Sequence, residues 1–138
     1  MIGSNLKFKI TTQNSKLQKG ERGAKGEEVM VYLTEKEKKA IEELLVGLKK
    51  LYGENLSRVI LYGSKARGEA NEGSDIDIMI VLKEIENLVQ ERRKVSNLVW
   101  EICYKYDLLI AETIRTEEEY LTRATPFLLN VKREGIVL

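Results

Sequence analysis

The stretch LYGSKARGEANEGSDIDIMIV, residues 61–81, closes one apolar run with Gly63 and Ser64 and then sets Asp75 and Asp77 at alternate positions at the head of another. A lone carboxylate in a strand that otherwise reads as buried costs several kcal/mol, roughly, unless it is paired or bound to metal. Residues i and i+2 of a strand project to one face, so the two aspartates stand together with Cα atoms roughly 6.5–7 Å apart. Like charges that close resist coexisting without a cation between them, and oxygen-only ligands favour Mg²⁺ or Mn²⁺. Upstream, glycine lets a ligand approach the backbone, and the N–H groups of a first helical turn bind anions, so Gly63 and Ser64 read as a phosphate cradle. Arg67 reads as a further phosphate contact or, equally, as the partner of a surface carboxylate; Lys65 reads as solvent-facing.

The flanking elements give this stretch its frame. LSRVILYG (56–63) and DIDIMIVL (75–82) are strand patterns, with a short turn or helix through SKARGEA between them. Before them, Ile41, Leu44, Leu45, Leu48 and Leu51 recur at helical spacing, and Thr34 with Glu37 forms a capping-box pattern, so residues 34–53 read as an amphipathic helix ending near Gly53. After them, Ile85, Leu88, Val89, Val95, Val99 and Ile102 lie broadly on one face of a long helix from about Glu84 to Tyr104, with Trp100 and Cys103 expected in the core. YDLLIAETI (106–114) is a third strand. Thr116 and Glu119 repeat the capping box, and Thr125, Pro126 and Gly135 mark the start and stop of a last helix. At the N-terminus, NLKFKITTQ (5–13) alternates as a strand that pairs with VMVYL (29–33), and QKGERGAKGEE (18–28) reads as a mobile loop.

Chain direction decides which groups meet. Gly63 ends the first of the two central strands and Asp75 begins the second, so they share a sheet edge only if those strands run antiparallel. The long helix then makes a crossover, which sets the second and third strands parallel. Asp107, read as opening the third strand, is thereby expected at the Asp75 edge. Glu112 is expected about 16 Å further along and on the other face, so Asp107 is preferred over Glu112 as a third ligand. Three carboxylates and an anion cradle at one edge describe metal-assisted phosphoryl chemistry.

Composition narrows the alternatives. The chain has 138 residues, enough for one domain with a real core, and a formal charge of +1, so no global field draws it to nucleic acid or membrane. It has a single cysteine and no histidine, which excludes an intramolecular disulfide, a histidine zinc site and a Ser-His triad. Catalysis must run on carboxylates, hydroxyls, amines, guanidinium or backbone. No apolar run approaches the length of about 18 that spans a bilayer, and the expected location is cytoplasmic.

The segment GSKARGEANEGSDIDIMIV (63–81) resembles the signature of the DNA polymerase beta-like nucleotidyltransferase superfamily in its minimal MNT branch: Gly63, Ser64, Ala66, Arg67, Gly68, Ser74, Asp75, Ile76 and Asp77 match in order. The resemblance covers roughly residues 34–114. It implies an α/β (α+β) fold, a nucleotidyltransferase-like mixed β-sheet flanked by helices in a single small domain, with residues 1–33 as an appendage to a 34–138 catalytic domain. It implies Mg²⁺ or Mn²⁺ on Asp75 and Asp77, a third acid on a neighbouring strand at Asp107 or Glu112, and ATP or another nucleoside triphosphate contacted by Gly63 and Ser64. The implied reaction transfers a nucleoside monophosphate, most simply AMP, to a hydroxyl with release of pyrophosphate. The resemblance also leaves two rival readings: an antitoxin or regulatory module partnered with a helical HEPN-type protein, and a non-catalytic nucleotide sensor. A homodimer and a structured RNA acceptor stay open; polymerisation on nucleic acid does not fit the charge, and nothing implies a membrane.

Overall fold

A computed structural model describes residues 7–11, 21, 28–68 and 75–138. Strands β1 (Lys7–Thr11) and β2 (Glu28–Tyr32) pair antiparallel as a separate ribbon, from Lys7 opposite Tyr32 to Thr11 opposite Glu28. The loop expected to be mobile lies outside the described residues apart from Glu21 and Glu28. There follow α1 (Glu35–Tyr52), one 3₁₀ turn, β3 (Leu56–Tyr62), α2 (Ser64–Arg67), β4 (Ile76–Leu82), α3 (Leu88–Tyr106), β5 (Ile110–Thr116), α4 (Glu117–Thr122), α5 (Pro126–Glu134) and β6 (Ile136–Val137).

Capping sets the helix starts. Thr34 and Glu37 satisfy each other's backbone N–H at the head of α1, Thr116 and Glu119 do the same for α4, and Thr125 caps α5 ahead of Pro126; each such cap contributes about 1 kcal/mol. Helix α3 begins later than its apolar pattern suggests, because the Asn87 side chain accepts from the Gln90 N–H and fixes the start there.

The main sheet is mixed, in the order β5-β4-β3-β6. Strands β3 and β4 are antiparallel and β4 and β5 parallel, as the crossover requires. Strand β6, too short to stand out in the sequence, adds antiparallel to β3. Helices α1 and α3 cover one face over Val59, Leu61, Ile76, Ile78, Ile80 and Leu82; α4 and α5 cover the other, where Ile60, Met79, Val81 and Val137 meet Tyr120, Leu128 and Val131. The near-continuous apolar run of β4 follows from burial on both faces, and each such side chain contributes about 1.5–3 kcal/mol.

Two expected core residues behave differently. Trp100 is 64% exposed and stacks on Tyr104, because the buried stripe of α3 runs through Val95, Val99 and Ile102 and leaves Trp100 on the outer side. Cys103 packs partly against the core, and burial pushes its thiol pKa up. Lys65, expected in solvent, is fully buried. Among the described residues, no helix is long and apolar enough to cross a membrane.

Candidate active site

Gly63 and Asp77 meet at the end of the β3–β4 pair. Tyr62 lies opposite Asp77 in the ladder, so the next residue on β3 turns directly over the Asp77 side chain. Gly63 takes φ +75°, and a Cβ there would overlap the Asp77 carboxylate, with the carboxyl carbon 3.0 Å away. No side chain can stand between the carboxylate and this backbone. The chain then makes the single turn of α2, closed by Arg67 N–H to Gly63 carbonyl at 3.1 Å and ended by Gly68 in the left-handed region. Ser64 opens that turn, and Arg67 ends it with its guanidinium 3.0 Å from Glu134 of α5.

Tyr62, Gly63, Ser64, Arg67 and Asp77 line a cavity of about 360 Å³ with Phe127, Asn130 and Glu134. Asp77 is half-buried in it. Its carboxyl is held above the usual range, first by burial and then by the negative charge of Asp75, against a smaller opposing pull from Arg67. Asp75 stands exposed just ahead of β4. Mg²⁺ is commonly held by one or two carboxylates completed by substrate phosphates and water. The pair therefore fits a divalent ion that arrives with a triphosphate, and it does not make a cage by itself. Ser74 lies outside the described residues.

The structure gives Asp107 a different place in the fold from the one its sequence suggests. Asp107 does not open β5; it ends α3 in the left-handed conformation, φ +51°, with its N–H bonded to the Cys103 carbonyl, and β5 begins only at Ile110. Aspartate tolerates that conformation, so it serves as a helix stop. Among the described residues no three acids gather as a metal cluster, and Asp107 does not join Asp75 and Asp77. Glu112 pairs in register with Ile78, on the face covered by α3, and accepts from Ser96 Oγ at 3.3 Å. The β5 residue in register with Asp77 is Ala111.

Three further residues shape the site although the sequence reading assigns them no part in it. Lys65 Nζ sits 2.7 Å from Glu37 Oε2, while Glu37 Oε1 accepts the Thr34 N–H at 2.9 Å, so one carboxylate ties α2 to the N-cap of α1. Phe127 packs edge-on against Tyr62 at 5.7 Å and walls the cavity. The signal for Lys65 and Glu37 was present as a capping box and a basic residue after Gly-Ser, but their pairing is a tertiary fact.

The nucleotidyltransferase domain family matches residues 41–128. Two proteins of Methanocaldococcus jannaschii described as candidate protein adenylyltransferases are similar: one is 34% identical over 96 residues, 70% of this chain and 92% of the relative, and the other 36% identical over 103 residues, 74% and 97% respectively. Among solved structures, a candidate nucleotidyltransferase from Sulfolobus solfataricus shares the fold with TM-score 0.53 and 23% identity, over 72% of this chain and 76% of that one. A toxin–antitoxin structure with AMP-PNP does so with TM-score 0.50 and 18% identity, over 70% of each.

Proposed function

The chain belongs to the nucleotidyltransferase domain family, and from that premise we propose that it transfers AMP from ATP to a hydroxyl of a protein acceptor and releases pyrophosphate. The observation that carries this reading is the Asp77 carboxylate packed against the bare backbone of Gly63, with Asp75 beside it and Ser64 and Arg67 lining the same cavity. The adenylyltransferase description of both M. jannaschii relatives supports AMP as the group moved.

In this reaction the acceptor oxygen forms a bond to the α-phosphorus of ATP. The bond from that phosphorus to the oxygen bridging the β-phosphate breaks, its electron pair leaves on pyrophosphate, and the acceptor proton is released to water. A divalent ion held by Asp75 and Asp77 would neutralise the charge on the phosphates. Gly63 and Ser64 offer backbone and hydroxyl donors to the β- and γ-phosphates, and Arg67 adds a positive charge where pyrophosphate departs. The Gly63 backbone fixes the phosphates relative to Asp77, which is positioning of the kind that dominates such chemistry. Every residue invoked falls within 34–138, and residues 1–33 act as an appendage to that catalytic unit.

A second reading, a regulatory module bound to a helical HEPN-type protein, draws on the fold likeness to the toxin–antitoxin structure with AMP-PNP. Transfer of label from α-³²P-ATP with Mg²⁺ to proteins of a host extract tests both. A labelled protein band that falls about 10³-fold or more in the Asp75→Ala, Asp77→Ala double variant is expected. Metal-dependent ATP binding without label from any of the four nucleotides would replace the transferase by that regulatory module or by a nucleotide sensor.

A further inference from the structure

The geometry points to the outer edge of β5 and the arginines around it as a docking strip for an extended acidic segment of a protein acceptor. In calling that segment the acceptor's, the inference rests on the transfer reaction proposed above.

Strand β5 is terminal in its sheet, and among the described residues its outer edge has no ladder partner. Glu112, Thr113, Ile114 and Arg115 together line one cavity of about 370 Å³ with Arg92 and Ser96 of α3. Side chains alternate between faces along a strand, so four consecutive residues line one cavity only along the strand's edge. Arg92, Ile114 and Arg115 continue into a second cavity of about 510 Å³ around the end of β5, which Arg123, Phe127 and Leu128 also line.

The charge in this groove is net positive, three arginines against the carboxylates of Glu112 and Glu119. Arg92, Arg115 and Arg123 come from α3, β5 and the α4–α5 connection, and among the described residues none of them is in an ion pair. Arg115 donates to the Ile114 carbonyl and lies over the Phe127 ring. Of the carboxylates that share the two cavities, Glu112 accepts from Ser96, and Glu119 caps α4, its pKa held down first by the Thr116 backbone and more weakly by the charges of Arg123 and Arg115. A chain of net charge +1 thus concentrates three guanidinium groups, the side chains best suited to carboxylates, beside a free strand edge.

The strip also points to the site. Ala111 is in register with Asp77 and Arg115 with Val81, so a segment laid along β5 spans about 13 Å from the arginines to the Asp77 end. Phe127 walls both the Asp77 cavity and the second groove. An extended peptide finds here what strand addition uses: an open row of backbone groups and pockets on either side. A nucleic acid would need a longer run of phosphate contacts and free stacking faces, and Phe127 is already engaged by Tyr62 and Arg115.

The test uses the full chain and a fluorescein-labelled peptide of alternating Glu and Val/Thr residues, its Glu→Gln counterpart, and a single-stranded RNA of equal charge, read by anisotropy with and without Mg·AMP-PNP. The acidic peptide is expected to bind at least tenfold tighter than the neutral one, to weaken with salt, and to slow amide exchange at Ala111–Arg115. The Arg92→Ala, Arg115→Ala, Arg123→Ala variant is expected to lose at least tenfold in peptide affinity with Mg·ATP affinity unchanged. Equal binding of both peptides, an unaffected variant, no protection on β5, or RNA binding tighter than peptide would each overturn the strip. Label transfer to host proteins that persists without peptide binding sinks the strip alone; peptide binding without any label transfer sinks the transferase reading and leaves the strip as a binding surface.

Discussion

Asp77 is kept in a place its charge disfavours. Burial and the neighbouring Asp75 raise its proton affinity, so the folded chain holds that proton more tightly than the unfolded chain does. The sign follows: ionisation of Asp77 weakens the fold, so its contribution is most favourable below the ordinary carboxylate range and is lost as pH rises through the raised native value. Asp77→Asn should therefore raise unfolding free energy at neutral pH by about 1 kcal/mol, a gain that vanishes near pH 3, while abolishing transfer. Urea denaturation at the two pH values beside a label-transfer assay checks this, and an Asn variant less stable than wild type at neutral pH would contradict it. Gly63→Ala acts on the same pair from the other side. Its Cβ falls on the Asp77 carboxylate at a φ of +75°, so it should destabilise by about 1–3 kcal/mol and cut transfer about 100-fold, through displacement of the carboxylate. Thermal melts and label transfer on that variant measure the two effects.

Helix α2 is a single turn and cannot hold itself in place; the helix hydrogen bonds of four residues do not offset the cost of nucleating them. The Lys65–Glu37 pair supplies the missing anchor, and it is buried at both ends. Removing one partner of a buried pair leaves the other charge without compensation, so Lys65→Met should cost about 3 kcal/mol, and Lys65→Met with Glu37→Gln should recover much of it. A double-mutant cycle in urea reads the coupling, and independent, additive effects would show that the pair does not act as a unit. On the neighbouring strand, the ladder puts Ala111 level with Asp77. Ala111→Asp would add a third carboxylate level with Asp77, and should tighten Mn²⁺ in the nucleotide complex by about tenfold, read by electron paramagnetic resonance titration.

Across the whole domain, the described part of the N-terminal region is fastened at two places: Val31 and Leu33 are buried in the main core, and Glu21 reaches β3 and α4. Glu21 forms a bidentate contact with Arg58 of β3, at 2.9 and 3.2 Å, and accepts the Tyr120 hydroxyl of α4 at 2.5 Å. Arg58 also lies over the Tyr120 ring, and burial, then Glu21, push the Tyr120 hydroxyl pKa up. This cluster sits on the same sheet face as Asp77, at the opposite end of β3 from Gly63. Glu21→Ala strips a buried guanidinium of its bidentate partner, so it should cost about 3 kcal/mol and lower the melting temperature by several degrees without changing Mg·ATP affinity. Calorimetry with a nucleotide titration tests it, and loss of nucleotide affinity would instead tie the N-terminal region to the site.

The local elements were legible because their causes are local. Thr34 with Glu37 and Thr116 with Glu119 announce helix starts, the doubly apolar run after Asp77 announces a central strand, and the spacing of Gly63, Ser64, Asp75 and Asp77 announces a phosphate-and-carboxylate edge. The parallel pairing of β4 and β5 also followed from the crossover helix between them, whereas the antiparallel pairing of β3 and β4 stood only as the condition for Gly63 and Asp75 to share an edge. What the chain alone could not decide depended on where rotation about one residue sends a side chain. Asp107 reads as the start of a strand, yet its left-handed conformation makes it a helix stop. Lys65 reads as a surface lysine until α2 is set against α1, and Trp100 reads as core until the buried stripe of α3 is known. Composition and spacing along the chain were enough for the elements, the parallel crossover and the paired aspartates. Which charges meet was settled in three dimensions, because helix rotation and strand register are set by packing over the whole domain, and a shift of one residue sends a side chain to the other face.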